Sequence, residues 1–151
     1  MSTDYIAASL PALAFDQPAP ISWEKFTEAC GGAAPAMPAV WVDLETQLRN
    51  ALAEARGGER WKRPAEGCSL FWRNRVLAAF QEADVAKRDE LLDRVWWDAA
   101  GELTAPSDPL GAGALATYAV RLKIALRRSA IARDRGNAAF DRLTASTKTT
   151  F

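Results

Sequence analysis

The chain has 151 residues, enough for one domain with its own hydrophobic core. Its 19 basic and 19 acidic residues give a formal net charge of zero, which argues against a global attraction to nucleic acid or to an anionic membrane. The absence of histidine removes the commonest general base and metal ligand, and it excludes Ser-His-Asp and Cys-His catalysis.

Cysteine use and the amino terminus predict a cytoplasmic protein. Cys30 and Cys68 belong to no CxxC pair, so the sequence predicts no metal site. Two reduced thiols are the first interpretation, and a disulfide between them is the second. Residues 1–5 lack the basic start and long apolar run of a signal peptide. No stretch approaches the ~20 apolar residues of a membrane span, so we expect no direct membrane insertion.

Residues 1–21 are predicted to form a lead-in to a helical domain. Three prolines interrupt this stretch, and only Tyr5 to Leu10 is expected to be an ordered element. Ser22 is suited to cap the next helix at its amino end. That helix is expected to reach Cys30 and to stop at Gly31-Gly32.

The central part of the chain predicts three amphipathic helices. The clearest covers Val40 to Arg56, where apolar side chains recur at spacings of three and four. Its predicted core stripe consists of Trp41, Leu44, Leu48, Leu52 and Ala55. A basic loop from Glu59 to Gly67 follows, and then helices over Leu70 to Glu82 and Val85 to Ala100.

The last part predicts one long helix and one short helix. Asp108-Pro109 offers an N-cap followed by proline at the first helical position, and this helix is expected to reach Arg133. Gly136-Asn137 is expected to break it before a short helix over Ala138 to Ala145 and a flexible tail, 146–151. About six helices without period-two alternation predict an all-α, single-domain bundle whose helical domain covers 22–145.

No pattern in the sequence indicates catalysis. Gly111-Ala112-Gly113 lies near a predicted helix start, but it lacks the preceding strand and the following Lys-Ser or Lys-Thr of a phosphate-binding loop. The carboxylates form no pair suited to acid–base work. We therefore predict a protein that is not an enzyme, with no catalytic, cofactor-binding or metal-binding residue.

Charge is distributed unevenly along the second half of the chain. Residues 109–135 contain six basic residues and one acidic residue, whereas residues 80–102 contain seven acidic and three basic residues. Three interpretations follow: the two helices neutralise each other, the basic face meets an acidic protein partner, or it binds nucleic-acid phosphates. The candidate residues of this face are Arg121, Arg127 and Arg128. Zero net charge and the absence of a recognition motif make nucleic acid the least favoured.

Six tryptophans are many for this length. Trp41 and Trp96 fit predicted core stripes, whereas Trp97 points about 100° away from Trp96 on the same helix. Trp61 falls in the basic loop. Because exposed tryptophan and arginine are the usual anchors of protein interfaces, Trp61 and Trp97 are candidate contact residues. A wide core that buries every tryptophan is the alternative.

The opening of the chain resembles an uncharacterised bacterial family that is commonly encoded beside the subunits of V-type rotary ATPases. Residues 5–13, YIAASLPAL, are similar to the "YLVASLP-x-L" opening of that family. Pro20-Ile21-Ser22 and the helix from Trp23 to Phe26 resemble its Pro-x-Ser helix start. Residues 43–52 and 115–127 are similar to helical segments of the V-type ATPase C/d subunit.

The resemblance implies a helical accessory or stalk-like protein, peripheral to the inner membrane through the ATPase complex, and it transfers no catalytic residue. The functional hypothesis is therefore a non-catalytic protein-interaction subunit associated with a V-type ATPase. The alternative is a nucleic-acid-binding helical module that uses the basic face of the 109–135 helix.

Overall fold

A computed structural model describes residues 2–148. This range forms six α-helices and two 3-10 turns, with no strand, which confirms the prediction of an all-α bundle. The helices are α1 (Thr3–Ser9), α2 (Trp23–Ala29), α3 (Ala39–Ala55), α4 (Leu70–Phe80), α5 (Val85–Ala100) and α6 (Ala112–Lys148). The 3-10 turns cover Glu59–Trp61 and Gly101–Leu103. None of the helices in 2–148 has the length and apolarity needed to cross a membrane.

Local chemistry sets several of these helix ends. The side chain of Ser22 accepts a hydrogen bond from the backbone N–H of Lys25, which satisfies a donor that the helix leaves free. Asp84 does the same at the start of α5. At the end of α2, Gly31 and Gly32 have φ values of +94° and +104°, a conformation that favours glycine. The predicted stop at Gly31-Gly32 is therefore confirmed.

The main core lies where α3, α4 and α5 meet the first turns of α6. From α3 it receives Trp41, Leu44 and Leu48, as predicted. Ala51 is buried beside them, whereas Leu52 stays half-buried. The other elements contribute Trp72, Val76, Ala79, Val95, Ala99, Ala100, Leu103 and Ala116. Each fully buried Leu or Val side chain contributes about 1.5–3 kcal/mol relative to an exposed one, so this seam positions the helices.

Part of the lead-in packs against α5 and α6. Phe15 is buried, and its ring meets that of Trp97 edge-on at 5.5 Å. The hydroxyl of Tyr118 donates to the carbonyl oxygen of Pro11 at 2.7 Å. The backbone N–H of Ala19 donates to the hydroxyl of Ser129 at 3.0 Å. These contacts hold the chain ahead of α2 across one side of the bundle.

The start of α6 differs from the prediction by three residues. Asp108 and Pro109 lie in a turn, and the helix begins at Ala112 rather than at Pro109. In the first turn of α6, Gly113 closely approaches the preceding 3-10 turn. A Cβ atom at Gly113 would lie 2.0 Å from the carbonyl oxygen of Leu103. The glycine therefore allows a backbone contact that no other residue would permit.

The end of α6 differs more strongly. The predicted break at Gly136-Asn137 is wrong, because α6 continues to Lys148 as one helix of 37 residues. A single glycine costs a helix only about 1 kcal/mol relative to alanine, and good helix formers, Arg133 and Arg135 before it and Ala138 and Ala139 after it, lie on both sides. Every residue from Ala132 to Leu143 is exposed, so this segment projects from the bundle. Of the predicted flexible tail, 146–148 belong to α6, and 149–151 lie outside the described residues.

Candidate protein-interaction groove

The predicted basic face is neutralised within the fold. Arg127 forms ion pairs with Asp93 and, at 3.5 Å, with Asp89. Arg128 lies 3.6 Å from Glu90 and 3.6 Å from Asp93. The acidic residues all belong to α5, and both arginines belong to α6. The interpretation that the two helices neutralise each other therefore holds for Arg127 and Arg128.

Asp93 is the buried centre of this ion-pair cluster. Its residue is 8% exposed, and burial raises the pKa of its carboxyl while the charge of Arg127 opposes that rise. One carboxylate oxygen, Oδ2, lacks a hydrogen bond and faces Arg128 across 3.6 Å. The arginines compensate a buried charge and are not free for a partner.

Trp97 is buried and Arg121 is half-buried, which corrects the expectation that they form an exposed contact surface. Trp97 is 6% exposed because Phe15 of the lead-in covers it. The guanidinium carbon of Arg121 lies 5.3 Å from the centre of the Trp97 ring, and its Nε donates to the Trp97 carbonyl oxygen at 3.0 Å. Burial lowers the pKa of Arg121. Trp96, the predicted core residue of the pair, is only half-buried.

Trp61 is the predicted contact residue that the structure leaves on the surface. Its side chain is 69% exposed at the end of the 3-10 turn. A Cβ atom at Gly58 would lie only 2.9 Å from Cδ1 of Trp61, so this glycine lets the indole fold back against the turn. Arg60 lies 5.1 Å from the centre of the indole ring. The indole therefore packs against its own turn and leaves most of its surface accessible.

Side chains of α3 hold the loop that carries Trp61. Asn50 donates to the carbonyl oxygen of Arg63 at 2.7 Å and accepts from the N–H of Arg63 at 2.8 Å. One turn earlier, Gln47 accepts from the backbone N–H of Ser69 at 2.8 Å. These bonds satisfy backbone groups that a loop outside secondary structure would otherwise leave to water.

Asp43 completes this attachment. Its carboxylate accepts the backbone N–H of Glu66 at 2.6 Å and that of Gly67 at 3.0 Å. The Glu66 bond, the Gln47 side chain and the Gly67 bond together keep the pKa of Asp43 below its usual range. Hydrogen bonds to an ionised carboxylate are stronger than hydrogen bonds between neutral groups. The attachment made by Asp43 is therefore stronger than those made by Asn50 and Gln47.

A groove opens between α3, the Trp61 loop and α6, with a volume of about 620 Å³. A second depression of about 520 Å³ adjoins it. The two share Arg49, Trp61 and Trp96, so they form one continuous surface, which we call the Trp61 groove. Its remaining lining residues are Met37, Trp41, Val42, Glu45, Thr46, Asn50, Leu52, Ala53, Arg56, Gly58, Arg63, Ala119, Val120, Lys123 and Ile124.

The Trp61 groove combines an apolar floor with basic walls. Aromatic and aliphatic side chains from α3, α5 and α6 form the floor. The charged lining residues are Arg49, Arg56, Arg63, Lys123 and Glu45. Glu45 pairs with Arg49 at 3.3 Å, and the Arg49 side chain is 71% exposed, so solvent weakens that pair. The groove therefore presents an excess of positive charge around aromatic surface.

The described part of the chain contains neither a metal-ligand cluster nor a disulfide. Residues 2–148 contain no group of three or more carboxylate or cysteine side chains placed to hold a metal ion. Cys30 and Cys68 are unpaired, in agreement with the first interpretation of the cysteines. Burial raises the pKa of Cys30, which disfavours the nucleophilic thiolate.

Sequence reasoning identified Trp61 but missed the rest of the groove. Val42, Glu45, Arg49 and Arg56 recur at helical spacing along α3 and its C-cap, on the side that flanks the core stripe. In the sequence such a stripe is typical of a solvated face. The only unusual signal was Val42, an apolar residue within that stripe, which is 57% exposed.

No family model, curated protein or solved structure matches the chain. The resemblance to the V-type ATPase-associated family therefore stays a prediction.

Proposed function

We propose that this protein is a non-catalytic protein-interaction module and that the Trp61 groove is its binding surface. The observation that supports this most directly is the state of Trp61, which is 69% exposed although α3 fixes the loop that carries it. Burying a large apolar side chain within the fold would stabilise the folded state by about 1.5–3 kcal/mol. The exposed position of Trp61 does not provide this stabilisation. Exposed tryptophan beside arginine is the usual composition of an interface anchor.

The groove supports this function better than the basic face of α6. Arg127 and Arg128 are occupied by acidic residues of α5, and Arg121 is packed on Trp97. A partner that bound them would first have to displace those contacts. Two of the four cations of the groove wall require no such exchange, because Arg56 and Arg63 have no ion pair within residues 2–148. Of the other two, Arg49 forms the solvent-weakened pair with Glu45, and Lys123 lies 4.8 Å from the centre of the Trp23 ring.

The more specific proposal is that the partner belongs to a V-type ATPase, with this protein as an accessory or stalk-like component on the cytoplasmic side. Its support is the resemblance described above. Residues 43–52 lie in α3 and residues 115–127 lie in α6, the two helices that line most of the groove. The segments similar to the C/d subunit are thus also those that build the proposed binding surface.

The alternative proposal, nucleic-acid binding through the basic face of the 109–135 segment, depends on Arg121, Arg127 and Arg128. Within the fold, Arg127 and Arg128 pair with acidic residues of α5, and Arg121 is held by the Trp97 carbonyl oxygen. Titration with duplex and single-stranded DNA and RNA at low salt tests it, because phosphate binding weakens steeply as salt rises. A binding curve with that dependence would favour the alternative.

The test compares two variants that each remove an exposed aromatic ring. Trp61→Ala removes the groove anchor, whereas Phe71→Ala removes a ring that is 64% exposed on α4 and does not line the groove. Tagged wild-type protein and both variants are purified from native cells at low salt. We expect partners of the wild type to be lost with Trp61→Ala and kept with Phe71→Ala.

The possible outcomes separate the general proposal from the specific one. ATPase subunits among the Trp61-dependent partners would support the V-type ATPase association, and their absence would remove it. Equal recovery with both variants would overturn the groove as the binding surface. Neither ring is part of the core, so thermal unfolding of Trp61→Ala should match that of the wild type. The Phe71 ring meets the ring of the buried Trp72 edge-on at 4.8 Å, so Phe71→Ala should unfold at a slightly lower temperature.

A further inference from the structure

We infer that the Trp61 groove binds an acidic amphipathic helix of a protein partner, about four turns long. The inference rests on the proposed function and specifies the chemistry of the partner. It places an apolar side chain of that helix between Trp61 and Trp96, with carboxylates facing Arg49, Arg63 and Lys123. Three observations carry it: the length of the groove, the position of its tryptophans and its charge.

The length of the groove matches a helix. Its wall follows one side of α3 from Val42 to Arg56, because its lining residues recur every three or four positions over that span. At 1.5 Å per residue, the span is about 21 Å, or roughly four helical turns. A small molecule would fill only part of so long a surface. An amphipathic helix lying along it would contact the whole wall through one face.

The two tryptophans mark the position of the anchor. Trp61 and Trp96 line both depressions, so they stand where the two join, near the middle of the groove. Trp61 is largely exposed and Trp96 is half-buried, which leaves indole surface on both sides of that junction. Well-packed central positions contribute most of the affinity of a typical interface. An apolar side chain of the partner fits there.

The charge of the groove selects an acidic partner. Its lining contains the cations Arg49, Arg56, Arg63 and Lys123, and Glu45 is the single acidic residue among its lining side chains. Carboxylates at the edges of a bound helix would pair with these cations, and a basic helix would be repelled. Complementary charge of this kind sets partner choice and association rate.

The same charge argues against a second copy of the chain as occupant. The projecting part of α6 is the exposed amphipathic segment that another copy would offer, with Phe140 and Leu143 as apolar side chains. Its charged residues are Arg133, Asp134, Arg135, Asp141 and Arg142, so it is not acidic. It would bring arginines to a groove whose walls already carry four cations.

The experiment uses a pair of labelled four-turn helical peptides that share the same leucine stripe. One carries glutamate on both flanks of the stripe, and the other carries glutamine at those positions. Fluorescence anisotropy with the full chain measures both affinities at low and high salt. We expect the glutamate peptide to bind roughly tenfold more tightly, since each exposed charge pair contributes modestly. Raising the salt should remove that difference.

Charge reversal then locates the peptide. Arg63→Glu should weaken the glutamate peptide and favour a lysine-substituted version, and the loop should stay in place because Asn50 bonds only to the Arg63 backbone. Arg142→Glu makes the same charge change on the projecting part of α6, outside the groove, and should have no effect.

Other results would overturn the inference. Equal affinity for the two peptides, or binding of neither, excludes an acidic helix, and competition by single-stranded nucleic acid would identify a different occupant. Trp61-dependent capture of a cellular partner would still support the proposed function in those cases. If Trp61→Ala changes neither peptide binding nor capture, the groove itself is excluded and both proposals fail.

Discussion

Asn50 and Arg63 exchange two hydrogen bonds, one in each direction, between the middle of α3 and the loop that follows Trp61. The side-chain amide of Asn50 donates to the carbonyl oxygen of Arg63 at 2.7 Å, and its oxygen accepts the Arg63 N–H at 2.8 Å. Because Arg63 lies two residues beyond Trp61, this pair sets where the exposed indole stands relative to α3. The pair is therefore a positioning contact for the Trp61 groove.

The first prediction concerns that contact. Asn50→Ala removes both bonds, but the freed backbone groups are exposed to water, so the free energy of unfolding should fall by only about 1 kcal/mol. The larger effect is local, because the loop amides should exchange faster with deuterium and partner capture should weaken. Hydrogen exchange and urea denaturation measure the two effects. Asn74→Ala, an exposed asparagine on α4, is the control and should leave loop exchange unchanged.

The second prediction concerns the pH dependence of the same attachment. Hydrogen bonds from Glu66, Gln47 and Gly67 lower the pKa of Asp43 in the folded protein. A lowered folded-state pKa stabilises the fold above the unfolded-state value of about 3.9, and that contribution is lost as the pH falls through the lower folded value. The stability difference between wild type and Asp43→Asn should thus be constant near neutral pH and shrink below about pH 4.

Urea denaturation across this pH range measures that difference. Asp134→Asn, on the projecting part of α6, controls for the loss of one negative charge. A difference that widens as the pH falls would contradict the assignment, because it would mean that Asp43 is stabilised in its protonated form.

The third prediction tests the close approach at the start of α6. In Gly113→Ala, the new Cβ atom would lie 2.0 Å from the carbonyl oxygen of Leu103, a contact that only a backbone shift can relieve. Overpacking of this kind costs about 1–3 kcal/mol of unfolding free energy, so the urea midpoint should fall clearly below that of the wild type. An unchanged midpoint would show that α6 and the Gly101–Leu103 turn are less tightly packed.

The sequence was most informative where structure depends on near neighbours. The α3 periodicity predicted Trp41, Leu44 and Leu48 as core residues, and Ser22 was correct as a cap. The opposite charges of α5 and α6 likewise follow from composition, and the two helices do pair through Asp93 and Arg127. In each case the relevant residues lie on one element or on consecutive elements.

The missed features depend on segments far apart in the chain. Trp97 is buried because Phe15, more than eighty residues earlier, covers it, and no local pattern distinguishes it from Trp96. The Trp61 groove joins α3, a loop, Trp96 and the Lys123 region of α6. In the sequence, the charged residues of each helix have the pattern of a solvent-exposed face. That pattern does not indicate that they come together around Trp61 and Trp96.

The fourth prediction concerns Gly136, which lies within α6 where the sequence predicted a break. A Cβ atom there would have no heavy atom within 4 Å, so Gly136→Ala introduces no clash. Alanine favours the helix by about 1 kcal/mol over glycine. A lone helical segment without tertiary packing is only marginally stable in water, so this gain should act locally.

We expect slower amide exchange in residues 132–147 of Gly136→Ala and a small gain in helical circular dichroism, with an unchanged midpoint for global unfolding. The midpoint should not move because Ala132 to Leu143 are exposed and add nothing to the core. Gly136→Pro is the opposing variant and should unfold the segment beyond it, again without loss of the bundle. If Gly136→Ala left exchange unchanged, the helix would end before residue 136, and the projecting part of α6 would not exist as a continuous element.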